Sequence, residues 1–169
     1  GNNGVTPCSV EVRTPSGDYY NGDGSDVKET VTADRVLIAT GAKPRELPFA
    51  PCDGKTILHS SHAMTLSQRP DSLIIIGSGA IGMEFASVYR AFGTKVTIIE
   101  MLDRILPVED ADISKLAQRA FKKQGMHFHT SAAVQSVEVT ASGATVTFSD
   151  VNDETKQECV SGDKVLVAI

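Results

Sequence analysis

Hydrophobic and polar positions change rhythm along the chain, and each change marks a different kind of element. Residues 8–13, CSVEVR, alternate as a short half-buried strand does. Residues 15–26, PSGDYYNGDGSD, are dense in turn formers, with Gly22 and Gly24 open to dihedrals that other residues resist. An extended pattern resumes over 30–40, TVTADRVLIAT, and stops at Gly41. This first stretch predicts a small antiparallel sheet carrying an acidic loop. Residues 44–70 interrupt every long pattern, because Pro44, Pro48, Pro51 and Pro70 each bias the preceding backbone away from helix. They predict a crossover with a short helical turn near HSSHAMTLSQ, capped by Ser60 or Ser61. A domain boundary is expected near residues 42–50.

From residue 72 the rhythm is that of alternating strands and helices. LIII at 73–76 is continuously apolar, as suits a strand covered on both faces. Ile81, Phe85, Val88 and Phe92 then recur at helical spacing and predict an inward helix face, with Ala86 and Ala91 also available to the core and Gly93 as the stop. Residues 95–99 form a second strand. Asp110 opens a second helix through Ile113, Leu116, Ala117, Ala120 and Phe121, which Gly125 ends before a short strand over 126–129. Beyond Thr130 the period drops to two: Val134, Val137 and Val139 lead into ATVTF at 144–148, with ASG at 141–143 as the turn. A strand near 157–160 precedes VLVAI at 165–169. The economical architecture is a three-layer α/β unit with an antiparallel excursion before its last parallel strand.

Composition changes this picture little. A chain of 169 residues buries one core, or one core and part of another. It is 41% hydrophobic and 22% charged, without an apolar run long enough to span a bilayer, which predicts a soluble globular protein with no membrane partner. The start, GNNGVTPCSV, lacks the basic and apolar regions of a secretory signal. A formal charge of −5 argues against a broad nucleic-acid surface. Cys8, Cys52 and Cys159 lie far apart with no CxxC pair, so they read as ordinary thiols of a reducing compartment, the bacterial cytoplasm or a mitochondrial matrix. Both termini read as cut, since the chain opens in a glycine-rich turn and closes inside an apolar run; a fragment is expected.

The chemistry concentrates in SLIIIGSGAIGMEFASVYRAFGTKVTIIE, residues 72–100. Gly77, Gly79 and Gly82 form GxGxxG between a strand and a helix. In that context Gly77 allows a sharp turn, Gly79 lets a diphosphate approach the backbone, and Gly82 brings the helix close to the sheet. Amides of Ser78, Ala80 and Ile81 at the helix start are then placed to donate to phosphate oxygens. Glu100, 23 residues after Gly77, ends the next strand where a carboxylate receives the adenosine ribose hydroxyls. With a 2′-phosphate its charge would be opposed, and only Arg104 stands near enough to bend back, so the pattern favours NAD over NADP. Other signals are bland. His127 and His129 share a strand face, and His59 and His62 share a helical turn, but neither pair has an evident third ligand. Tyr19 and Tyr20 lack the basic surroundings of a base-stacking surface. Asp103, Glu109, Asp110 and Asp112 read as a solvated loop and helix start.

IATG at 38–41, GSGAIGMEF at 77–85, EMLDRILPVEDADI at 100–113, KKQG at 122–125 and VLVAI at 165–169 together resemble the pyridine nucleotide–disulfide oxidoreductase family. RILP with its acidic segment and KKQG point, within it, to the dihydrolipoamide dehydrogenases. The resemblance implies a Rossmann-like NAD-binding domain over 71–169, truncated near its last strand. Before it would come a crossover over 44–70 and a β-rich remnant of the FAD-binding domain over 1–43. It implies NAD as cofactor here and FAD in the parent protein, a homodimer. Lipoyl-bearing subunits of 2-oxoacid dehydrogenase or glycine cleavage complexes would be the partners. By family position Glu84 pairs with a lysine of the FAD portion, Val134 approaches the adenine, the Ala168 backbone approaches the nicotinamide, and Thr40 and Gly41 belong to the flavin side. The family's CxxxxC pair and its His–Glu pair have no counterpart in this sequence, so the chain alone is expected to be inactive. Other flavin-disulfide reductases, or a non-catalytic nucleotide-binding module, are the competing readings.

Overall fold

The computed structural model describes residues 8–13 and 27–169, and the acidic loop and the Tyr19–Tyr20 pair lie outside the described residues. The chain divides into two compact units, one up to Ala42 and the other Lys43–Ile169. In the first, β1 (Cys8–Arg13) pairs antiparallel with β2 (Val27–Ala33), Cys8 opposite Ala33. The extended pattern anticipated to residue 40 therefore stops pairing at Ala33.

The second unit holds β3 (Ile57–Leu58), α1 (Ser60–Ala63), β4 (Ser72–Ile76), α2 (Ala80–Ala91), β5 (Lys95–Ile99), α3 (Ala111–Lys123) and β6 (His127–His129). Then come β7 (Ala132–Thr140), β8 (Gly143–Asp150), β9 (Asp153–Gly162) and β10 (Lys164–Val167). Five strands form a parallel sheet in the order β3-β10-β4-β5-β6, and β7-β8-β9 form an antiparallel sheet. Side chains of the parallel strands alternate between two cores, as the two-residue period of a strand requires. Leu73, Ile75, Val96, Ile98 and Leu166 join Met83, Ala86 and Tyr89 of α2. Ile74, Ile76, Ile99, Val165 and Val167 join Ala144, Val146 and Phe148 of the antiparallel sheet. The layers are thus helices, parallel sheet and antiparallel sheet, a mixed α/β fold. No helix among the described residues is long and apolar enough to cross a membrane.

Helix ends follow the anticipated punctuation. Asp110 caps α3 by accepting from the Asp112 N–H at 2.8 Å, and Gly93 and Gly125 take positive φ just past α2 and α3. The α1 cap is His59 rather than Ser60 or Ser61, with the His59 N–H turned toward Nδ1 of His62 at 3.3 Å. Tyr89 ties α2 to α1 through a 2.6 Å hydrogen bond from its hydroxyl to the Ala63 carbonyl. Burial raises the Tyr89 phenol above its ordinary pKa. At the opposite end of the sheet from the glycine turn, Asp163 accepts the N–H groups of Asp71 and Ser72, joining the starts of β4 and β10.

The inward face of α2 matches its hydrophobic spacing only in part. Phe85 packs against the core and Ala86 is buried as expected, with Gly82, Met83 and Tyr89 beside them, but Ile81, Val88 and Phe92 are half-exposed or more. Gly82 decides this: a Cβ there would collide with the Gly77 carbonyl oxygen, so the helix axis approaches the sheet on its small residues. On α3, Ala117 and Phe121 pack inward as expected, but Ile113 and Leu116 point out and Ser114 is buried, its hydroxyl donating to the Leu106 carbonyl at 3.1 Å. The two faces of α2 should separate in unfolding experiments. Met83→Ala is expected to lose about 2–5 kcal/mol, and Val88→Ala to stay within about 0.5 kcal/mol of the parent. Equal urea midpoints for the two variants would restore the other face.

Candidate functional site

From β4 the chain builds outward through β5 to β6, then returns to insert β10 on the other side of β4, between it and β3. A crevice opens where such a strand order reverses, at the carboxyl ends of the strands. Three chain segments leave the sheet there. Gly77 follows β4, Glu100 follows β5 and Ala168 follows β10. They line one cleft of about 500 Å³ together with Ser78, Gly79 and Val134.

The glycines do three different things. Gly77 has φ of 99°, its N–H donates to the Ile99 carbonyl at 2.9 Å, and an added Cβ would strike the Ala168 carbonyl. Gly82 lies beneath α2 against the Gly77 carbonyl, as described above. Around Gly79, by contrast, a Cβ would meet nothing within 4 Å. Its φ of −65° is ordinary, so neither strain nor packing in the chain itself demands glycine there. Gly79 is the N-cap of α2, whose first amides have no partner from a preceding turn.

Glu100 is 8% exposed, a buried carboxylate at the end of β5. Its Oε2 accepts both the Ser78 N–H at 2.8 Å and the Ser78 hydroxyl at 2.7 Å, and its Oε1 accepts the Leu102 N–H at 2.9 Å. Ser78 is fully buried and gives both donors to this one oxygen. The donors that the glycine turn offers the cleft therefore begin at Gly79. The RILP segment closes the same corner: Ile105 is buried, and Leu106 takes φ of 47° while its N–H donates to the Ser78 carbonyl at 2.9 Å. Arg104 does not bend back. It reaches the Pro107 carbonyl at 3.4 Å and Asp103 at 3.9 Å.

Ala80, Ile81 and Glu84 are not among the residues that line the cleft. Ala80 and Ile81 are exposed on the first turn of α2. Glu84 lines a separate hollow with Met64, Leu66, Phe85 and Phe92. Thr40 and Gly41 lie in the first unit, exposed. The cleft also has walls that the motifs did not indicate: Leu47 and Phe49 from the proline-rich stretch, Met101, Leu102 and Pro107 after β5, and one cation, Arg45. Nothing in their spacing marks them; only the Leu47–Ala50 turn, with the Ala50 N–H donating to the Leu47 carbonyl at 2.9 Å, brings that stretch over the strand ends. His127 and His129 form no cluster with a third ligand among the described residues, and His129 packs on Phe148. Cys52, His59 and His62, apart in sequence, do converge.

Replacing one carboxylate oxygen of Glu100 by an amide would set N–H against N–H in a buried corner. Glu100→Gln is expected to lower stability by about 1–3 kcal/mol, read from its urea midpoint. An unchanged midpoint would mean that the three hydrogen bonds do not hold the turn.

Comparisons with known proteins agree with this fold. Residues 8–169 match the profile of the pyridine nucleotide-disulphide oxidoreductase family. The chain is similar to a dihydrolipoyl dehydrogenase of Bacillus subtilis, 45% identical over 147 residues, which cover 87% of this chain and 31% of that protein. A dihydrolipoyl dehydrogenase of Rhizobium etli is 39% identical over 160 residues, covering 95% and 32%. Among solved structures, LpdA from Mycobacterium tuberculosis superimposes with a TM-score of 0.73 at 38% identity, covering 87% of this chain and 30% of that one. The chain thus spans about a third of the length of the curated relatives it matches. The relatives bear out the resemblance carried by IATG, GxGxxG and RILP, and the chain belongs to the pyridine nucleotide-disulphide oxidoreductase family.

Proposed function

We propose that this chain is the NAD-binding portion of a flavin-dependent dihydrolipoyl dehydrogenase. The observation that carries the reading is the cleft in which open space over Gly79 lies on one side and the buried Glu100 carboxylate on the other. An anionic diphosphate fits the first, where no Cβ blocks the backbone and the start of α2 offers the amides of Ala80, Ile81 and Gly82. Ribose hydroxyls fit the second. Oε1 of Glu100 takes one donor from the protein, and a carboxylate oxygen accepts more than one. Val134 lies along the adenine end and the backbone at Ala168 toward the nicotinamide end, with Leu47, Phe49, Met101 and Leu102 as apolar walls for flat rings.

When bound, NAD supplies the acceptor of the hydride that reduced flavin releases. The residues of this chain bind and orient it. In the proposed parent, electrons from protein-bound dihydrolipoyl groups reach the flavin through a disulfide. Cys8, Cys52 and Cys159 are free thiols here, so that pair would come from elsewhere and this chain alone would be inactive. Glu84, exposed beside its own hollow, is proposed to meet a lysine of the FAD portion, and Thr40 and Gly41 to belong to the flavin side. Lipoyl-bearing subunits of 2-oxoacid dehydrogenase or glycine cleavage complexes are the proposed partners of a homodimeric parent. The names of the relatives support the substrate class.

Calorimetric titration tests the site. NADH is expected to bind this chain at least ~10-fold more tightly than NADPH, because the extra phosphate would face the Glu100 carboxylate. Gly79→Val is expected to weaken NADH binding ~10-fold or more, with its thermal midpoint close to the parent's, since the added side chain enters open space. NADH affinity unchanged in folded Gly79→Val would overturn the diphosphate placement.

A further inference from the structure

Cys52, His59 and His62 come from a loop, the cap of α1 and α1 itself, yet their ligand atoms all lie within 4.8 Å of one another. We infer that these residues form a zinc-type divalent cation site, none of whose three ligands lines the dinucleotide cleft, and which does not depend on the proposed reading of that cleft.

The distances carry the inference. In a tetrahedral zinc site the bond lengths to thiolate and imidazole put sulfur and nitrogen about 3.5 Å apart and two nitrogens about 3.3 Å apart. Cys52 Sγ lies 3.5 Å from His62 Nδ1. The same Nδ1 accepts the His59 N–H at 3.3 Å, a contact that a metal ion would replace. All three ligand atoms lie within 4.8 Å of one another, so no pair has to close by more than about 1.5 Å to reach the separations of a tetrahedral site. His59 is 9% exposed, whereas Cys52 and His62 are half-buried, so the group is held from one side and reachable from the other.

Charge and support fit a dication. Glu46 lies 3.3 Å from His59 Nε2 through Oε1, and its Oε2 accepts the Cys52 N–H at 3.4 Å. A carboxylate touching two of the three residues orients the imidazole, as carboxylates do at metal-bound histidines. With the Cys52 thiolate it neutralises two positive charges. The loop that presents Cys52 is independently pinned. Oδ1 of Asp53 accepts the N–H groups of Lys55, Thr56 and Ile57 at 2.7–2.9 Å, and the Asp53 and Gly54 amides both donate to the Ile57 carbonyl. Gly54 has φ of 68°, and a Cβ there would press on the His62 ring at 3.3 Å, so the turn leaves room for that imidazole. One sulfur and two nitrogens favour zinc over calcium or magnesium, which take all-oxygen sets.

Binding replaces the thiol proton, now directed at the Ile57 carbonyl 3.0 Å from Sγ, by a sulfur–metal bond, and the proton leaves to solvent. The test uses reduced, chelator-stripped protein titrated with Zn²⁺ against a chromophoric chelator, and separately with Co²⁺. One equivalent is expected per chain, and the Co²⁺ form should show a near-ultraviolet thiolate-to-metal charge-transfer band. Cys52→Ser and His62→Asn are expected to weaken Zn²⁺ binding at least ~100-fold, and Glu46→Gln roughly 10-fold as an outer carboxylate. Cys159→Ser, at an exposed thiol on β9, should bind as the parent does. Zn²⁺ affinity equal in the parent and the Cys52→Ser variant would overturn the site. So would a parent Co²⁺ spectrum without the thiolate band, a result independent of how any variant folds.

Discussion

A buried carboxylate must find hydrogen-bond donors, and the donors Glu100 finds decide the shape of the cleft. Its two oxygens take the Ser78 N–H, the Ser78 hydroxyl and the Leu102 N–H, which fastens the turn after β4 to the chain leaving β5. Without them, a nearly inaccessible charge would stand unpaired, a cost larger than any single contact nearby. The fastening extends further. The Ser78 carbonyl accepts from Leu106, the Leu106 carbonyl accepts from Ser114, and the loop after β5 is thereby folded down onto α3. Glu100 is in this sense structural before any ligand arrives.

Asp163 makes an instructive contrast. It too accepts backbone N–H groups, from Asp71 and Ser72, and it too joins neighbouring strands. It does so at the amino ends of β4 and β10, where it lines a polar hollow with Ser72, Gly143 and Ser161. Two carboxylates with similar partners therefore differ in what they border, because only Glu100 stands at the carboxyl ends of the strands, beside the glycine turn. Position on the sheet assigns the role, and the type of residue permits it.

The site was legible where one local turn creates it. Gly77, Gly79, Gly82 and Glu100 sit in a strand–turn–helix–strand unit whose order is written in 29 consecutive residues, 72–100. The walls were not, because Leu47 and Phe49 reach the cleft through the Leu47–Ala50 turn and no periodicity announces that. The face of α2 is legible only in part for a related reason. Hydrophobic spacing picks Phe85 and Ala86, which pack inward, together with Ile81, Val88 and Phe92, which do not, because the close approach of the helix to the sheet is set at Gly82. Cys52, His59 and His62 escaped for want of a spacing rule: Cys52 is brought to the histidines by a turn that Asp53 organises through backbone amides.

The same fastening bears on cofactor choice under the proposed reading. A carboxylate on a mobile side chain could swing away from an added phosphate, or a nearby arginine could swing in. Neither motion is free here. Moving Glu100 would strip donors from Ser78, which is fully buried, and would release the turn that positions Gly79. Arg104 is turned to the Pro107 carbonyl instead, and the loop that carries it is anchored just after it by buried Ile105 and by Leu106 on Ser78. Preference for an unphosphorylated ribose then rests on rigidity as much as on charge. The negative group cannot retreat, because the fold uses it.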